Sequence, residues 1–134
     1  MSVELIRDYY DAFNRGDVDG MMDCLADDVR HDVNQGGARH GKIAFADFCA
    51  HMARTYREQL TDMVIMATPD GKHAAAEFVV NGEYLQTDEG LPEADGQTYK
   101  LPAGGFFDIN NGLITRVTTY YNLTDWMAQV AGEG

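Results

Sequence analysis

The chain has 134 residues, of which 45% are hydrophobic and 10% aromatic, and its formal net charge is −12. This length corresponds to one domain that is large enough to bury a core. The acidic balance argues against a nucleic acid or an anionic membrane surface as partner, because both are bound by basic surfaces. We therefore expect a small hydrophobic or neutral ligand that is met inside a pocket.

The cysteines and the amino-terminal residues bear on the compartment. Cys24 and Cys49 are widely spaced, form no C-x-x-C motif, and are expected to be reduced, buried thiols. The first residues, MSVELIRDYY, contain an acid and no apolar run of signal-peptide length. No stretch approaches the ~20 apolar residues that span a bilayer. These features favour a cytoplasmic protein without a membrane contact.

Three helices are predicted in the first half of the chain. Apolar residues recur at helical spacing over residues 3–15, and Gly16 followed by Asp17 is typical of a helix end and a new helix start. The second helix is predicted at about 17–26 and the third at about 42–58. A strand that contains Asp32 is expected between the second and third helices.

The second half changes to the two-residue period of strands. Four antiparallel strands are predicted, beginning near residues 61, 73, 98 and 113, and a short helix is predicted over 123–130. Asn81-Gly82 could form a hairpin turn, but strand alternation continues through it, so one long bent strand is favoured. Helices grouped before a meander predict an α+β domain with a curved sheet folded against its helices.

Several segments resemble one known family. They are YYDAFNRGDVDGMMDCLADDVRHDV, HGKIAFADF and FFDINNGLITRVTTYY. In order and spacing they are similar to the nuclear transport factor 2-like superfamily, and within it to the steroid delta-isomerase and SnoaL-like polyketide cyclase group. The resemblance covers about residues 5–127 and implies a single domain over 1–134.

The resemblance implies a cone: a curved mixed sheet wrapped by three N-terminal helices, with a short C-terminal helix and a deep apolar pocket. It also implies homodimers formed through the outer face of the sheet. Val79, Leu85, Val117 and Thr119 are predicted to point outward there.

The isomerase template implies a catalytic base on the first strand. Aligned on Asp17 and His40-Gly41 with one gap, that position falls on Asp32. Strict alternation sends His31 and Asp32 to opposite faces of the strand, so one of them faces the pocket unless a bulge intervenes. Both can accept a proton, so a base is expected here in either register. The alternative is that the residue is the solvated side of an edge strand.

Tyr9 aligns with the template tyrosine that donates to the enolate oxygen; the alternative is a core tyrosine. The template's neutral acid falls at about Ala103, so that third group is missing, which puts authentic steroid isomerisation in doubt. Phe48, Met52, Phe106 and Tyr121 are expected to line the pocket and bind substrate. No metal site is expected, since the four histidines lack ligand spacing, and no cofactor is implied.

The favoured function is cofactor-free proton abstraction or transfer on a hydrophobic carbonyl compound, as in an isomerase or a cyclase. Asp32 is the predicted base, His31 its assistant or substitute, and Tyr9 the oxyanion donor. One alternative is a non-catalytic binding or assembly module, because fold does not fix function. Another is a dehydratase or hydrolase in which His31 and Asp32 act through water.

Overall fold

The computed structural model describes residues 2–34 and 36–131. Its helices are α1 (Ser2–Arg15), α2 (Val18–Asp23), α3 (Lys42–Thr55) and α4 (Leu123–Val130). Its strands are β1 (Leu25–Val33), β2 (Arg39–His40), β3 (Tyr56–Ala67), β4 (His73–Tyr84), β5 (Thr98–Asn110) and β6 (Leu113–Tyr121). The predicted α+β class is confirmed: a curved, unclosed sheet packs against the N-terminal helices, with a short helix at the carboxyl end.

The six strands form one mixed sheet in the order β2-β1-β6-β5-β4-β3. Strands β3 to β6 make the predicted antiparallel meander. Strand β1 joins it in parallel beside β6, and β2 pairs antiparallel with β1. The sheet is therefore mixed, and β1 lies next to the middle of the sheet although it comes early in the sequence.

Two predicted boundaries are wrong in a way that matters for the site. The second helix ends at Asp23 rather than near 26, and the third ends at Thr55 rather than near 58. Strand β3 consequently begins at Tyr56, directly after α3. The charged residues 57 and 58, which were expected on a helix end, lie on a strand and alternate between the two faces of the sheet.

The core lies between α1, α3 and the inner face of the sheet. Helix α1 buries Ile6, Tyr9, Tyr10 and Ala12, which recur at helical spacing. The Asp17 side chain accepts a hydrogen bond from the Gly20 backbone and caps α2, as its position predicts. On the meander, alternate residues of β4 and β5 are buried, and these define the inner face.

Strand β4 passes without a turn through Asn81-Gly82, which confirms the preference for one long strand. A Cβ on Gly82 would overlap the ring of Tyr99 on β5. The missing side chain therefore lets the Tyr99 ring lie across β4 towards β3.

Two open depressions mark the surface. One, of about 540 Å³, is lined by residues such as Arg57, Glu83 and Lys100. The other, of about 590 Å³, lies near the start of α1 and is lined by Ser2 and Lys72 among others. Neither contains a predicted site residue. Within the described ranges, no helix has the length and apolar character needed to cross a membrane.

Candidate functional site

The structure separates the two candidate bases of β1. His31 is 4% exposed and lies beside the buried Val117 of β6 on the inner face. Asp32 follows it and points to the opposite, outer face, beside Thr118. The prediction that Asp32 faces the pocket is wrong, because β1 continues its alternation without a bulge between these residues. His31 is the one that points inward.

His31 lies in an aromatic and cationic environment. Its ring centroid is 4.3 Å from that of Phe45 and 4.8 Å from that of Phe48, both on α3. Arg39 is its cross-strand neighbour on β2, and the guanidinium lies 4.8 Å from the Phe48 ring centroid. Burial, helped by the charge of Arg39, lowers the pKa of His31 to about 4. The imidazole is therefore neutral at pH 7 and can accept a proton.

Two buried polar atoms in this environment have no hydrogen-bond partner among the described residues. They are His31 Nδ1 and one terminal nitrogen of Arg39. Buried polar groups are normally satisfied, so such pairs of orphaned atoms need an explanation. A bound polar ligand group that accepts from Arg39 and lies against His31 would satisfy both.

Asp32 belongs to a polar row on the outer face instead. Its carboxylate accepts hydrogen bonds from Arg30 Nε at 3.1 Å and from Thr118 Oγ1 at 3.0 Å. Partial burial alone would raise the pKa of Asp32, but the bonds from Thr118 and Arg30 outweigh it and hold the pKa below its usual range. A carboxylate stabilised in this way is a poor general base.

The same row continues across β6 and β5. Arg116 makes two hydrogen bonds to the Asp108 carboxylate, of 2.9 and 3.0 Å, and one to Thr118. His73 of β4 also contacts Asp108, at 2.9 Å. These bonds hold the pKa of Asp108 below its usual range. The row is a network of structural ion pairs rather than a pocket.

Tyr9 is buried in the aromatic core between α1 and the sheet. Its ring lies edge-on to those of Tyr10, Phe45 and Phe107. Burial raises the pKa of its phenol well above the ordinary value, so the hydroxyl stays protonated. Phe45 contacts both Tyr9 and His31, and no contact joins Tyr9 to His31 directly within the described residues. The predicted role of Tyr9 as oxyanion donor stays a prediction.

We call the region between α3 and the middle of the sheet the α3 cleft. On the sheet side, inward-facing Ala103, Thr119 and Tyr121 are only partly buried, although Val117 and Leu101 on the same face are buried. Phe48 and Met52 lie on the α3 face that contacts His31 and are also partly buried. Inward residues on both sides of this region therefore keep some contact with solvent.

Of the four predicted lining residues, Phe48, Met52 and Tyr121 face this region, where their role as pocket lining stays a prediction, and Phe106 does not. Phe106 is 44% exposed on the outer face, where its ring contacts Tyr120. Its neighbours Gly105 and Phe107 are the inward, buried residues of β5. The prediction that Phe106 lines the pocket is therefore wrong by one position of the strand alternation.

A second polar group lies at the carboxyl end of α3. His51 of α3 bonds to Asp88 at 3.0 Å, and the Tyr56 hydroxyl donates to the other oxygen of the same carboxylate at 2.7 Å. Asp88 belongs to the acidic loop between β4 and β5. The Tyr84 hydroxyl accepts a bond from the Asp88 backbone and holds the loop against the core.

Next to this group, Glu58 of β3 points inward. Its Oε2 accepts a hydrogen bond of 2.5 Å from the hydroxyl of Tyr99, which is buried. Burial raises the pKa of Glu58, although the bond from Tyr99 opposes the rise. Burial, followed by the charges of Glu58 and Asp88, raises the pKa of Tyr121.

Local sequence patterns did not single out Arg39, Glu58 or Asp88 as site residues. Arg39 follows a glycine-rich turn, Glu58 was placed on a helix end, and Asp88 lies in a loop with many acids. Alternation counted from Leu60, a buried residue of β3, would have turned Glu58 inward had the strand boundary been known. No group of three or more His, Cys, Asp or Glu residues is placed to hold a metal ion within the described residues.

Comparison with known proteins agrees with this architecture. The model of the SnoaL-like domain matches residues 6–117. A crystal structure of a candidate polyketide cyclase from Silicibacter sp. TM1040 is 65% identical with a TM-score of 0.95, covering 96% of this chain and 94% of that one. A second from Pseudomonas putida is 55% identical with a TM-score of 0.96, covering 97% and 98%. Among curated proteins, none matches this chain.

More distant structures share the fold alone. An epoxide hydrolase from Mycobacterium tuberculosis is 14% identical with a TM-score of 0.72, covering 98% of this chain and 90% of that one. The family match over most of the chain and the high identity to the two candidate polyketide cyclase structures lead to one assignment. The chain belongs to the SnoaL-like family.

Proposed function

We propose that this protein is a cofactor-free enzyme that abstracts and transfers a proton on a hydrophobic carbonyl compound bound in the α3 cleft, as in an isomerase or a cyclase. The observation that carries the proposal is His31: a neutral imidazole, 4% exposed, with an unpartnered Nδ1 beside an unpartnered guanidinium nitrogen. The close relatives that are described as candidate polyketide cyclases support the same class of chemistry.

His31 replaces Asp32 as the proposed base. The histidine takes a proton from the carbon next to the substrate carbonyl, and the C–H electron pair moves to form the enolate. The imidazolium then returns the proton to another carbon, or the enolate carbon attacks a second carbonyl group of the ligand, closes a ring, and the new alkoxide takes the proton from the imidazolium. Both routes balance without an oxidant, a reductant or a cofactor.

Arg39 is the proposed stabiliser of the enolate oxygen. Arg39 is the cross-strand neighbour of His31 and has a terminal nitrogen without a hydrogen-bond partner among the described residues, whereas Tyr9 and His31 have no ring contact with each other there and each packs against Phe45. In the free protein Arg39 helps to lower the pKa of His31. A developing enolate would offset that positive charge, so His31 would bind the proton more strongly as the reaction proceeds. The two residues therefore act together.

The pairing of His31 and Asp32 in a dehydratase or hydrolase has less support, because the two side chains lie on opposite faces of β1. If no variant changes the rate of proton abstraction, a non-catalytic binding module with the same fold is the better description. Because the substrate is unidentified, the test should measure proton abstraction itself rather than a product.

The test is deuterium exchange at the α carbon of 2-tetralone, a hydrophobic ketone, followed by NMR in D₂O. The wild-type protein is expected to accelerate exchange over buffer. His31→Gln should lower the acceleration by about 10²-fold or more, since it removes the base. Arg39→Gln should lower it by about 10²-fold, because it removes one oxyanion donor.

Two outer-face variants serve as controls. Asp32→Asn and His73→Gln change similar groups on the other side of the sheet and should leave exchange at the wild-type rate. Loss of exchange in Asp32→Asn with full retention in His31→Gln would return the base to Asp32. If the wild-type protein and all variants match buffer, proton abstraction is the wrong class and a binding module is the better description.

We also propose that the protein is a homodimer through the outer face, defined by Arg30, Asp32, Phe106, Thr118 and Tyr120. Two of the residues predicted to point outward do not: Val117 is 1% exposed on the inner face, and Thr119 also points inward. Four exposed apolar side chains take their place as support for the proposal: Val64, Met66, Phe106 and Tyr120.

A further inference from the structure

We infer that Glu58, held by Tyr99, forms a second polar subsite that binds a hydroxyl group at the far end of an elongated hydrophobic ligand. This inference rests on the proposed site in the α3 cleft and extends it by the class of ligand. Two carboxylates, Glu58 and Asp88, lie at this end of the cleft. The protein uses fewer of the hydrogen-bonding positions of Glu58, so Glu58 is the one that we assign to the ligand.

Both oxygens of Asp88 are used by the protein. One of them contacts His51 and the Glu89 backbone N–H, and the other accepts from Tyr56. Glu58 uses Oε2 for Tyr99, and no hydrogen bond reaches Oε1 within the described residues. The Glu58 side chain is half-buried, and Oε1 is not among the fully buried unpartnered atoms, so it keeps some contact with solvent.

The structure fixes the orientation of the Glu58 carboxyl closely. Gly82 lies between Glu58 and Tyr99 in the cross-strand row, and the Tyr99 ring crosses it where any side chain would overlap. Tyr99 in turn packs against Trp126 of α4, with ring centroids 5.9 Å apart. An oxygen held in this way can select a hydrogen-bonding group by position.

Helix α3 sets the distance between the two polar ends. Phe48 contacts His31, and Thr55 ends the helix just before Tyr56, which belongs to the second polar group. At 1.5 Å per residue, Phe48 and Thr55 are about 10 Å apart along the helix axis. A rigid ligand of about three linearly fused rings would extend along this distance with one polar group at each end.

The negative charge near Glu58 limits the chemical groups that a ligand can place at this end of the cleft. The charges of Glu58 and Asp88 both raise the pKa of Tyr121, after burial, and the chain carries a net charge of −12. An anionic end group would be repelled and desolvated there. A hydroxyl both donates and accepts, so it can bond to Glu58 whether the carboxyl is ionised or protonated.

The test uses three probes with one ring system: anthraquinone, 2-hydroxyanthraquinone and anthraquinone-2-carboxylate. Dissociation constants are measured by absorbance or fluorescence titration. The wild-type protein is expected to bind the hydroxy compound about tenfold more tightly than either of the others. In Glu58→Met the dissociation constants of 2-hydroxyanthraquinone and anthraquinone should differ by no more than about twofold. The substitution removes the polar group but keeps the length of the side chain.

Glu58→Gln separates hydrogen bonding from charge. The amide can still bond to a hydroxyl, so the preference over anthraquinone should be largely retained, while exclusion of the carboxylate should weaken. Glu83→Met changes a glutamate that pairs with Arg57 on the other face, and it should keep the wild-type order. A merely structural role for Glu58 would affect all three probes equally.

Several results would overturn the inference: no binding of any probe, a wild-type preference within twofold, or an unchanged preference in Glu58→Met. If Glu58→Met does not fold, Tyr99→Phe provides the test, because loss of its bond should reduce the preference at least threefold. His31→Gln should abolish deuterium exchange and leave the hydroxyl preference intact. The subsite and the proposed chemistry can therefore fail independently.

Discussion

At the scale of single residues, orientation on a strand decides chemistry. His31 and Asp32 are adjacent, yet one is a buried imidazole that is neutral at pH 7 in an aromatic environment and the other is an ion-paired carboxylate on the outer face. The two-residue period of a strand means that a shift of one position exchanges these roles. The alternation in the sequence correctly required opposite faces. It could not tell which face is buried, since that depends on Val117 and Phe45, which are distant in sequence.

The buried histidine should make stability depend on pH. The pKa of His31 is about 4 in the folded protein against about 6.5 when exposed. Between these values the unfolded chain binds a proton that the folded chain does not, so the free energy of unfolding falls as the pH is lowered through this window. The loss from this residue is about 3 kcal/mol at most. His31→Gln should abolish this contribution.

Urea unfolding at pH 7, 5.5 and 4 provides the measurement. As the pH is lowered, the wild-type protein should lose more unfolding free energy than His31→Gln, so the variant should become more stable relative to the wild-type protein. His40→Gln, which alters an exposed histidine, is the control and should follow the wild-type curve in this comparison. A parallel pH dependence in the wild-type protein and His31→Gln would contradict a lowered histidine pKa.

At the scale of elements, the row of Glu58, Gly82 and Tyr99 joins three strands. Tyr99 occupies the space that a side chain at position 82 would need. Gly82→Ala should therefore displace the ring and destabilise the fold by about 1–3 kcal/mol. In a Tyr99→Leu background the same substitution should cost clearly less, because the obstructing ring is gone.

The coupling free energy between positions 82 and 99 is measured by denaturant unfolding of four proteins: the wild type, Gly82→Ala, Tyr99→Leu and the double variant. Gly37→Ala is a matched control, since a Cβ there meets nothing within 4 Å and its φ is not positive. Equal costs of Gly82→Ala in both backgrounds would mean that strand propensity at Gly82, and not the contact with Tyr99, determines the effect.

Local pattern predicted most elements, because their signals lie within a few residues. The apolar spacing of α1, the Asp17 cap and the alternation through Gly82 all agree with the structure. The end of α3 was placed too late because residues 56–58 continue a helical pattern, whereas Tyr56 pairs with Tyr84 of β4. The second polar group was missed for the same reason, since only that long-range pairing turns Glu58 inward.

At the scale of the whole molecule, the outer face differs from the rest of this acidic protein. Asp32 and Asp108 are balanced there by Arg30 and Arg116, so the polar row is close to neutral. Beside it lie Val64, Met66, Phe106 and Tyr120, which are 44–54% exposed. A locally neutral, partly apolar face is where two copies of a chain of charge −12 can meet without strong repulsion.

A two-fold dimer places the same patch of each copy against the other, so one substitution acts twice. Light scattering during gel filtration should therefore give twice the 14.9 kDa chain mass at micromolar concentration. Phe106→Lys should shift the protein to a monomer, because it puts a charge on each side of a buried contact. Ile43→Lys also changes an exposed apolar residue, 82% exposed on α3, and should leave the dimer intact. A monomeric wild-type protein would exclude the dimer. A dimer that survives Phe106→Lys and is lost in Ile43→Lys would move the interface to the helical side, where it could restrict access to the α3 cleft.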